Sequence, residues 1–352
     1  MTMLGVYPAD EPTTLLKPLP NREAIDANPL VDEVIVWDGG FWRDAWSKRW
    51  KNWFRRRSVL GIAGAVHTAR LCRLMRQRRF DILISLQPED WPFLTWVSGS
   101  PVSIGVFPGR AGREKQHKRL ARRYSRAFTH SDLPPHSTDR ALISLSALGL
   151  SGPSSKQAVI GITMEDRHAA NDLLVRGGIS PMERVIVIAP RTTWPTKCWP
   201  EERYGALGDS LSRDHGCRVV LIGTEREREA MGRVAAHMQT APIIAAGALS
   251  FRQMAALIAR AALVVSGDTG PMHVAAAVGT PYLALFGPTS PRRFAPLVGY
   301  GETLSHAVPC GPCELMDCAN LGENHFLCMR LITVDEVLEA TSRLLGATRP
   351  AV

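Results

Sequence analysis

The sequence has no apolar run approaching the roughly 18 residues that a membrane-spanning helix needs, so no span is predicted. Its opening, Met-Thr-Met-Leu-Gly-Val-Tyr-Pro-Ala-Asp, has no basic segment followed by an apolar stretch. That argues against a secretion signal and makes the cytoplasm the expected compartment. Internal repeats and low-complexity tracts are also missing, which excludes a solenoid or a long disordered tail. Acidic residues are scarce in one region: from Phe41 to Arg126 only 5 Asp/Glu stand against 20 Lys/Arg. The rest of the chain holds 22 basic and 28 acidic residues, so the net +9 comes from the first half. That half is expected to meet an anionic partner. Tryptophan is nearly absent from the second half, with seven of nine preceding Pro101. A paired C-x2-C framework is missing as well. Cys310, Cys313, Cys318 and Cys328 run as C-x2-C-x4-C-x9-C, with His325 the one flanking ligand type. This leaves a metal site and a thiol-rich loop both open, the loop being the commoner outcome.

With 352 residues the chain is too long for one ordinary core and fits two domains of about 150 residues. In the first half, VDEVIVW (31–37), DILISL (81–86) and 102–106 read as strands, and 41–57, 59–79 and 139–148 as helices. Gly149 to Lys156, rich in Gly, Ser and Pro, reads as the exit from the first domain. The second half has a clearer rhythm. Short apolar runs at 185–189, 218–222, 243–245, 263–265 and 282–286 alternate with helical patterns at 200–213, 225–238, 251–260 and 271–278, and a last helix covers 333–345. Such alternation predicts an α/β fold with a parallel sheet covered on both faces, which binds ligands beyond the carboxyl ends of its strands.

Four groups of residues carry possible chemistry. After 185–189 comes Pro190-Arg-Thr-Thr-Trp-Pro-Thr-Lys-Cys-Trp-Pro200, in which Thr192, Thr193 and Lys197 suit a phosphate whose charge grows as a bond breaks. The plain alternative is a loop leading to a helix. Glu225 follows a strand and could accept from ribose hydroxyls, or could simply favour a helix N-terminus. Ser266-Gly-Asp-Thr-Gly-Pro-Met-His273 runs from a strand into a small-residue helix whose free amides suit an anion. There Asp268 could bind a sugar hydroxyl or cap the helix, and His273 could face the ligand or the core. Finally, Trp42, Trp46, Trp50 and Trp53 share one helical face with Arg and Lys on the others. They could lie in a membrane interface or against a core.

These residues together resemble the heptosyltransferases of bacterial lipopolysaccharide synthesis, inverting glycosyltransferases with two Rossmann-like domains, the GT-B architecture. The resemblance runs from about Asn28 through nearly the whole chain. It is strongest in SGDTGPMHVAAAVGTPYLALFGPT, and extends to TT-x3-K-x-WP, to the cysteine-bearing tail, to NPLVDEVIVWD and FDILISLQ, and to HSTDRALISLSALGL. It implies an acceptor-side domain at 1–155, a donor domain at 156–332 and a C-terminal helix and tail at 333–352. It also implies that Thr192, Thr193 and Lys197 contact the donor diphosphate and that Glu225 holds the ribose. Leu249 would line the adenine pocket, while Asp268, Thr269, Gly270 and His273 would hold the sugar and phosphates. Lys197 and Asp268 would be the catalytic groups. The implied donor is ADP-L-glycero-D-manno-heptose, with no metal or other cofactor. The implied acceptor is an anionic Kdo-lipid A at the cytoplasmic face of the inner membrane, reached through the tryptophan helix, and no nucleic-acid partner is expected.

One departure stands out. The family opens with a strand, a Gly-Asp turn and a helix, and that aspartate is the expected general base. Here Gly-Asp occurs only at Gly208-Asp209 and Gly267-Asp268. Asp10 and Asp26 lack the motif around them, and an opening βαβ unit needs about 30 residues or more. The first domain is therefore expected to lack its first strand-helix unit, through a truncated start or a loss of standard catalysis. A nucleotide-sugar-binding relative that does not turn over is the alternative to an active transferase.

Overall fold

The computed structural model describes residues 14–18, 33–37, 59–86, 94–107, 114–153 and 155–346, and the tryptophan stripe of 42–53 lies outside them. The chain divides into two compact units, Met1–Ser154 and Ser155–Val352.

In the first unit, β1 (Thr14–Pro18) pairs parallel with β2 (Glu33–Trp37), Leu16 opposite Ile35. Sequence reading missed β1, because TLLKP has no alternation and ends in proline. A strand thus precedes NPLVDEV, but Leu19-Pro20-Asn21 follows it, and no Gly-Asp. A second parallel sheet has the order β3 (Ile82–Ser85), β4 (Val102–Val106), β5 (Arg126–Phe128). Helix α1 (Val59–Arg78) precedes it, and α2 (Leu94–Ser98) and α3 (Glu114–Ala121) flank β4 in sequence. On α3, His117 and Leu120 face inward while Lys115, Lys118 and Arg119 are exposed, the pattern of an amphipathic helix. Phe107 is fully buried and meets Tyr124 edge to face at 5.8 Å. Helix α4 (Ser137–Ser146) closes the unit.

The second unit opens with α5 (Met164–Arg176), its start fixed by reciprocal Thr163 and Asp166 capping bonds. Then β6 (Val185–Ala189), α6 (Glu201–His215), β7 (Arg218–Leu221), α7 (Arg228–Ala236), β8 (Ile243–Ile244), α8 (Phe251–Arg260), β9 (Leu263–Gly267), α9 (Gly270–Ala277) and β10 (Tyr282–Phe286) alternate. After them come α10 (Pro291–Phe294), β11 (Gly301–Ser305), α11 (Leu327–Arg330) and α12 (Val334–Gly346). The six strands run β11-β10-β9-β6-β7-β8, all parallel. Read from β8 this is the doubly wound order 3-2-1-4-5-6, with its topological switch point between β6 and β9.

The unbroken apolar runs follow from burial on both faces. Along β6, Val185, Val187 and Ala189 join one core while Ile186 and Ile188 join the other. Along β10, Tyr282, Ala284 and Phe286 face the first core and Leu283 and Leu285 the second. The second core also takes Val337, Ala340 and Leu344 of α12, so the C-terminal helix packs into this unit. Trp199 and Tyr204 fill it edge to face at 4.9 Å, and the indole donates to the Ile332 carbonyl at 2.9 Å. Burial pushes the Tyr204 phenol well above its usual range.

Candidate functional site

At the switch point the carboxyl ends of β6, β7, β8 and β9 surround a cavity of about 470 Å³. Its lining includes Thr192, Thr193, Glu225, Leu249, Thr269 and Gly270. Six residues singled out in the sequence therefore meet at one place, although they lie on four different connections. Leu249 packs against the core beside Phe251 and Met254, giving the cavity an apolar wall suited to a flat base.

The start of α9 opens on the same cavity. Its N-cap is Thr269, whose hydroxyl makes no bond to the helix's own amides, and Pro271 stands in the first turn. A side chain at Gly270 would meet nothing within 4 Å, so the helix start is open toward the cavity. Free amides and the helix dipole favour negative charge there. Gly267 is required one step earlier: a Cβ would come 2.9 Å from the Lys197 carbonyl and 3.0 Å from Thr192 Cγ2. The close approach of β9 to the 190–200 loop depends on that glycine.

The loop after β6 is shaped by its own bonds. Thr192 Oγ1 donates to the Trp194 carbonyl at 2.7 Å and accepts from the Trp194 amide at 3.2 Å. Thr193 stays exposed. Lys197 Nζ donates to Asp268 Oδ2 at 2.7 Å and lies 4.4 Å from the Trp194 ring centroid. Thr289 Oγ1 donates to the same carboxylate oxygen at 2.7 Å. Asp268 and Thr289 are buried, and this ion pair is largely shielded from water, with 14% and 7% side-chain exposure. Asp268 thus neither caps α9 nor lines the cavity; it is the partner of Lys197. His273, one turn into α9, is exposed and likewise outside the lining.

Glu225 lies in a short 3-10 turn before α7, and the capping role there belongs to Thr224 and Glu227. Arg228 grips the Glu225 carboxylate with two bonds of 2.9 Å and holds its pKa below the usual carboxylate range. Gly247 makes room for it. With φ at +69°, a Cβ there would stand 2.0 Å from Glu225 Oε2.

The remaining Gly-Asp pair has a structural task. Asp209, inside α6, accepts from the Gln239 and Thr240 amides at 2.9 Å and from Thr240 Oγ1 at 2.7 Å. The four late cysteines are free thiols, and burial pushes the Cys328 thiol up. Among the described residues, no group of three or more His, Cys, Asp and Glu is placed to hold a metal ion. Sequence reading missed Arg228, Gly247 and Thr289. The first two fall in ordinary helix and turn contexts, and Thr289 was visible only as the end of a Gly-Pro-Thr turn.

Parallel sheets in both units, the second doubly wound with a cavity at its switch point, define a Rossmann-like architecture, here of the GT-B glycosyltransferase class. The family model of glycosyltransferase family 9 (heptosyltransferase) matches residues 68–322. The chain belongs to this family and is a glycosyltransferase. The solved structures agree in fold. A family 9 glycosyl transferase from Veillonella parvula has a TM-score of 0.74 at 23% identity, covering 94% of this chain and 87% of that one. The ADP-heptose lps heptosyltransferase II of E. coli gives 0.68 at 21%, covering 96% and 90%. The E. coli heptosyltransferase WaaC with ADP-2-deoxy-2-fluoro heptose gives 0.60 at 20%, covering 93% and 88%. No curated protein matches the sequence.

Proposed function

We propose that this glycosyltransferase moves heptose from ADP-L-glycero-D-manno-heptose to the inner core of lipopolysaccharide, with a Kdo-lipid A or heptosyl-Kdo-lipid A acceptor at the inner membrane. The cavity at the switch point carries the reading. It gathers an apolar wall at Leu249, a carboxylate at Glu225, two threonines and the open start of α9, the kinds of group a nucleoside diphosphate would use. The E. coli relatives named for ADP-heptose support this choice of donor. Residues 1–155 would serve the acceptor, 156–332 the donor, and 333–352 would complete the donor side.

The chemistry would be a single displacement with inversion. The acceptor oxygen bonds to the anomeric carbon as the bond to the diphosphate oxygen breaks, the electron pair leaves with ADP, and the acceptor proton passes to a base. The α9 amides, Thr192, Thr193 and Thr269 would take the growing charge of ADP. Lys197 would add its charge if the donor draws it from Asp268, which would then be free for a sugar hydroxyl. His273 would reach the ligand from the first turn of α9. No metal ion is needed in this scheme.

Titration with ADP followed by thermal unfolding tests the donor half. Saturating nucleotide at about 100 times Kd should raise stability by about 2.7 kcal/mol, and no shift would sink the donor assignment. Release of ADP in the presence of Kdo-lipid A tests transfer. A second reading, a relative that binds donor without turnover, is favoured by the Leu19-Pro20-Asn21 segment after β1, which offers no aspartate base. Stabilisation by ADP-heptose without any ADP release would select it.

A further inference from the structure

On the outer face of α1 the described residues around a hollow of about 630 Å³ are Ala69, Cys72, Arg73, Arg76, Gln77 and Arg79. Arg73 and Arg76, three residues apart, share one side of the helix, and Arg79 just past its end lines the same hollow. All three are exposed, and none pairs with a carboxylate among the described residues. Leu71 and Met75, on the opposite side, are buried at 4% and 2% exposure, which fixes the arginine side toward solvent. Favourable interaction with the helix C-terminus accounts for Arg76 in the last turn, but the dipole does not explain why an arginine rather than a glycine stands at Arg79. That residue sits past the last turn with φ at +48°, a conformation in which glycine would close the helix without strain. A tryptophan completes the patch. Trp96 on α2 is 76% exposed, and the Arg76 guanidinium lies 5.4 Å from its ring centroid. An indole held in water beside unpaired guanidinium groups is the pairing found at a lipid–water interface, ring among the upper acyl chains and cations at phosphate level.

We infer that Arg73, Arg76, Arg79 and Trp96 form a docking surface for an anionic lipid bilayer, the arginines holding lipid phosphates and Trp96 entering the interface. Bidentate guanidinium groups suit phosphate oxygens, and the hollow between them admits a headgroup. The inference deepens the proposed function, since it rests on an acceptor carried in a membrane, and it would orient the first unit toward that acceptor. No helix among the described residues is long and apolar enough to cross a membrane, so the attachment would be peripheral.

Co-sedimentation of the full chain with vesicles of phosphatidylcholine, with and without phosphatidylglycerol, tests it. Binding should require the anionic lipid. The Arg73→Gln/Arg76→Gln variant should lose about thirtyfold in affinity, at about fivefold per arginine near a charged surface. Trp96→Ala should weaken binding to the same vesicles without changing its salt dependence. Stabilisation by ADP, measured on the same variants, should match wild type and so shows that the fold is kept. Vesicle binding unchanged in the double variant would overturn the inference, as would equal binding to neutral vesicles. Arginine-dependent binding to RNA with no affinity for vesicles would overturn it in favour of nucleic acid. Arginine-dependent vesicle binding without any ADP effect would uphold the surface while the donor reading failed.

Discussion

In the second unit, Arg218 faces Glu183 at 3.1 Å, Arg233 faces Glu201 at 2.8 Å and Arg343 faces Glu302 at 2.9 Å, whereas Arg73, Arg76 and Arg79 in the first unit face no carboxylate among the described residues. The two units handle negative charge by different means. The second balances its own cations, and its candidate anion site rests on backbone amides, hydroxyls and one lysine already paired to Asp268. Such a site is fixed in geometry and suits a ligand whose position must be controlled. The first leaves guanidinium groups on long side chains in water. Such a surface attracts an anion at long range and tolerates variation in its arrangement, as a membrane requires.

Unbalancing the buried pair has the largest expected effect. Asp268→Leu leaves the Lys197 ammonium without its partner and should cost about 3–5 kcal/mol in urea unfolding. The double variant Lys197→Met/Asp268→Leu should recover part of that loss, and a double variant no better than the single one would show that the pair is not what matters. Thr289→Val should lower turnover more than Thr289→Ser, because serine can still donate to Asp268. Gly247→Ala comes next. It combines a positive φ with a close approach to Glu225 and should cost about 1–3 kcal/mol. ADP affinity should fall about tenfold, read by calorimetry.

Acid stability gives a smaller effect. Burial alone would raise the Asp209 pKa, but the bonds from Gln239 and Thr240 override it and hold the carboxyl below its ordinary value. A depressed folded-state pKa contributes stability that is complete above the unfolded value of about 3.9 and fades as pH falls through the folded one. Asp209→Asn should therefore lower the Tm at neutral pH and flatten its decline below about pH 4. An unchanged acid limb would refute the assignment. The smallest effect separates the surfaces. Arg233→Gln should lower the Tm by about 1–2 °C at low salt, less at high salt, while Arg73→Gln should leave it unchanged.

Much of the second unit is legible in the sequence. VIVIA and YLALF are apolar at every position, and RVVL after its first residue, because both sheet faces are covered, and each reads as a strand. SGDTG announced a strand running into an open helix start. Element ends shifted by a residue or two, and the helix expected from Glu225 begins as a 3-10 turn, with α7 starting at Arg228. The short pieces were not legible: TLLKP, the edge strand GETLS and the helix of Lys115 and Lys118 have weak patterns that only their neighbours stabilise. In the site, Thr192, Thr193, Glu225, Thr269 and Gly270 lie just past strand ends in the sequence, Leu249 follows from the family resemblance, and the fold gathers all six around one cavity. Lys197 and Asp268 were read as separate ligand contacts, yet they bond to each other across 71 residues of chain.

The alternation of strand and helix, the family, and the split between a basic first half and a balanced second half are all carried by the amino-acid order alone. These are properties of local runs and of composition, which need no folding to exist. Which charges find partners depends on the folded arrangement. Arg228 clamps Glu225, Thr289 and Lys197 share Asp268, and Arg73, Arg76 and Arg79 are left to solvent beside Trp96. An ion pair depends on distance in space, and the sheet order that sets those distances is fixed by packing between segments far apart in the chain.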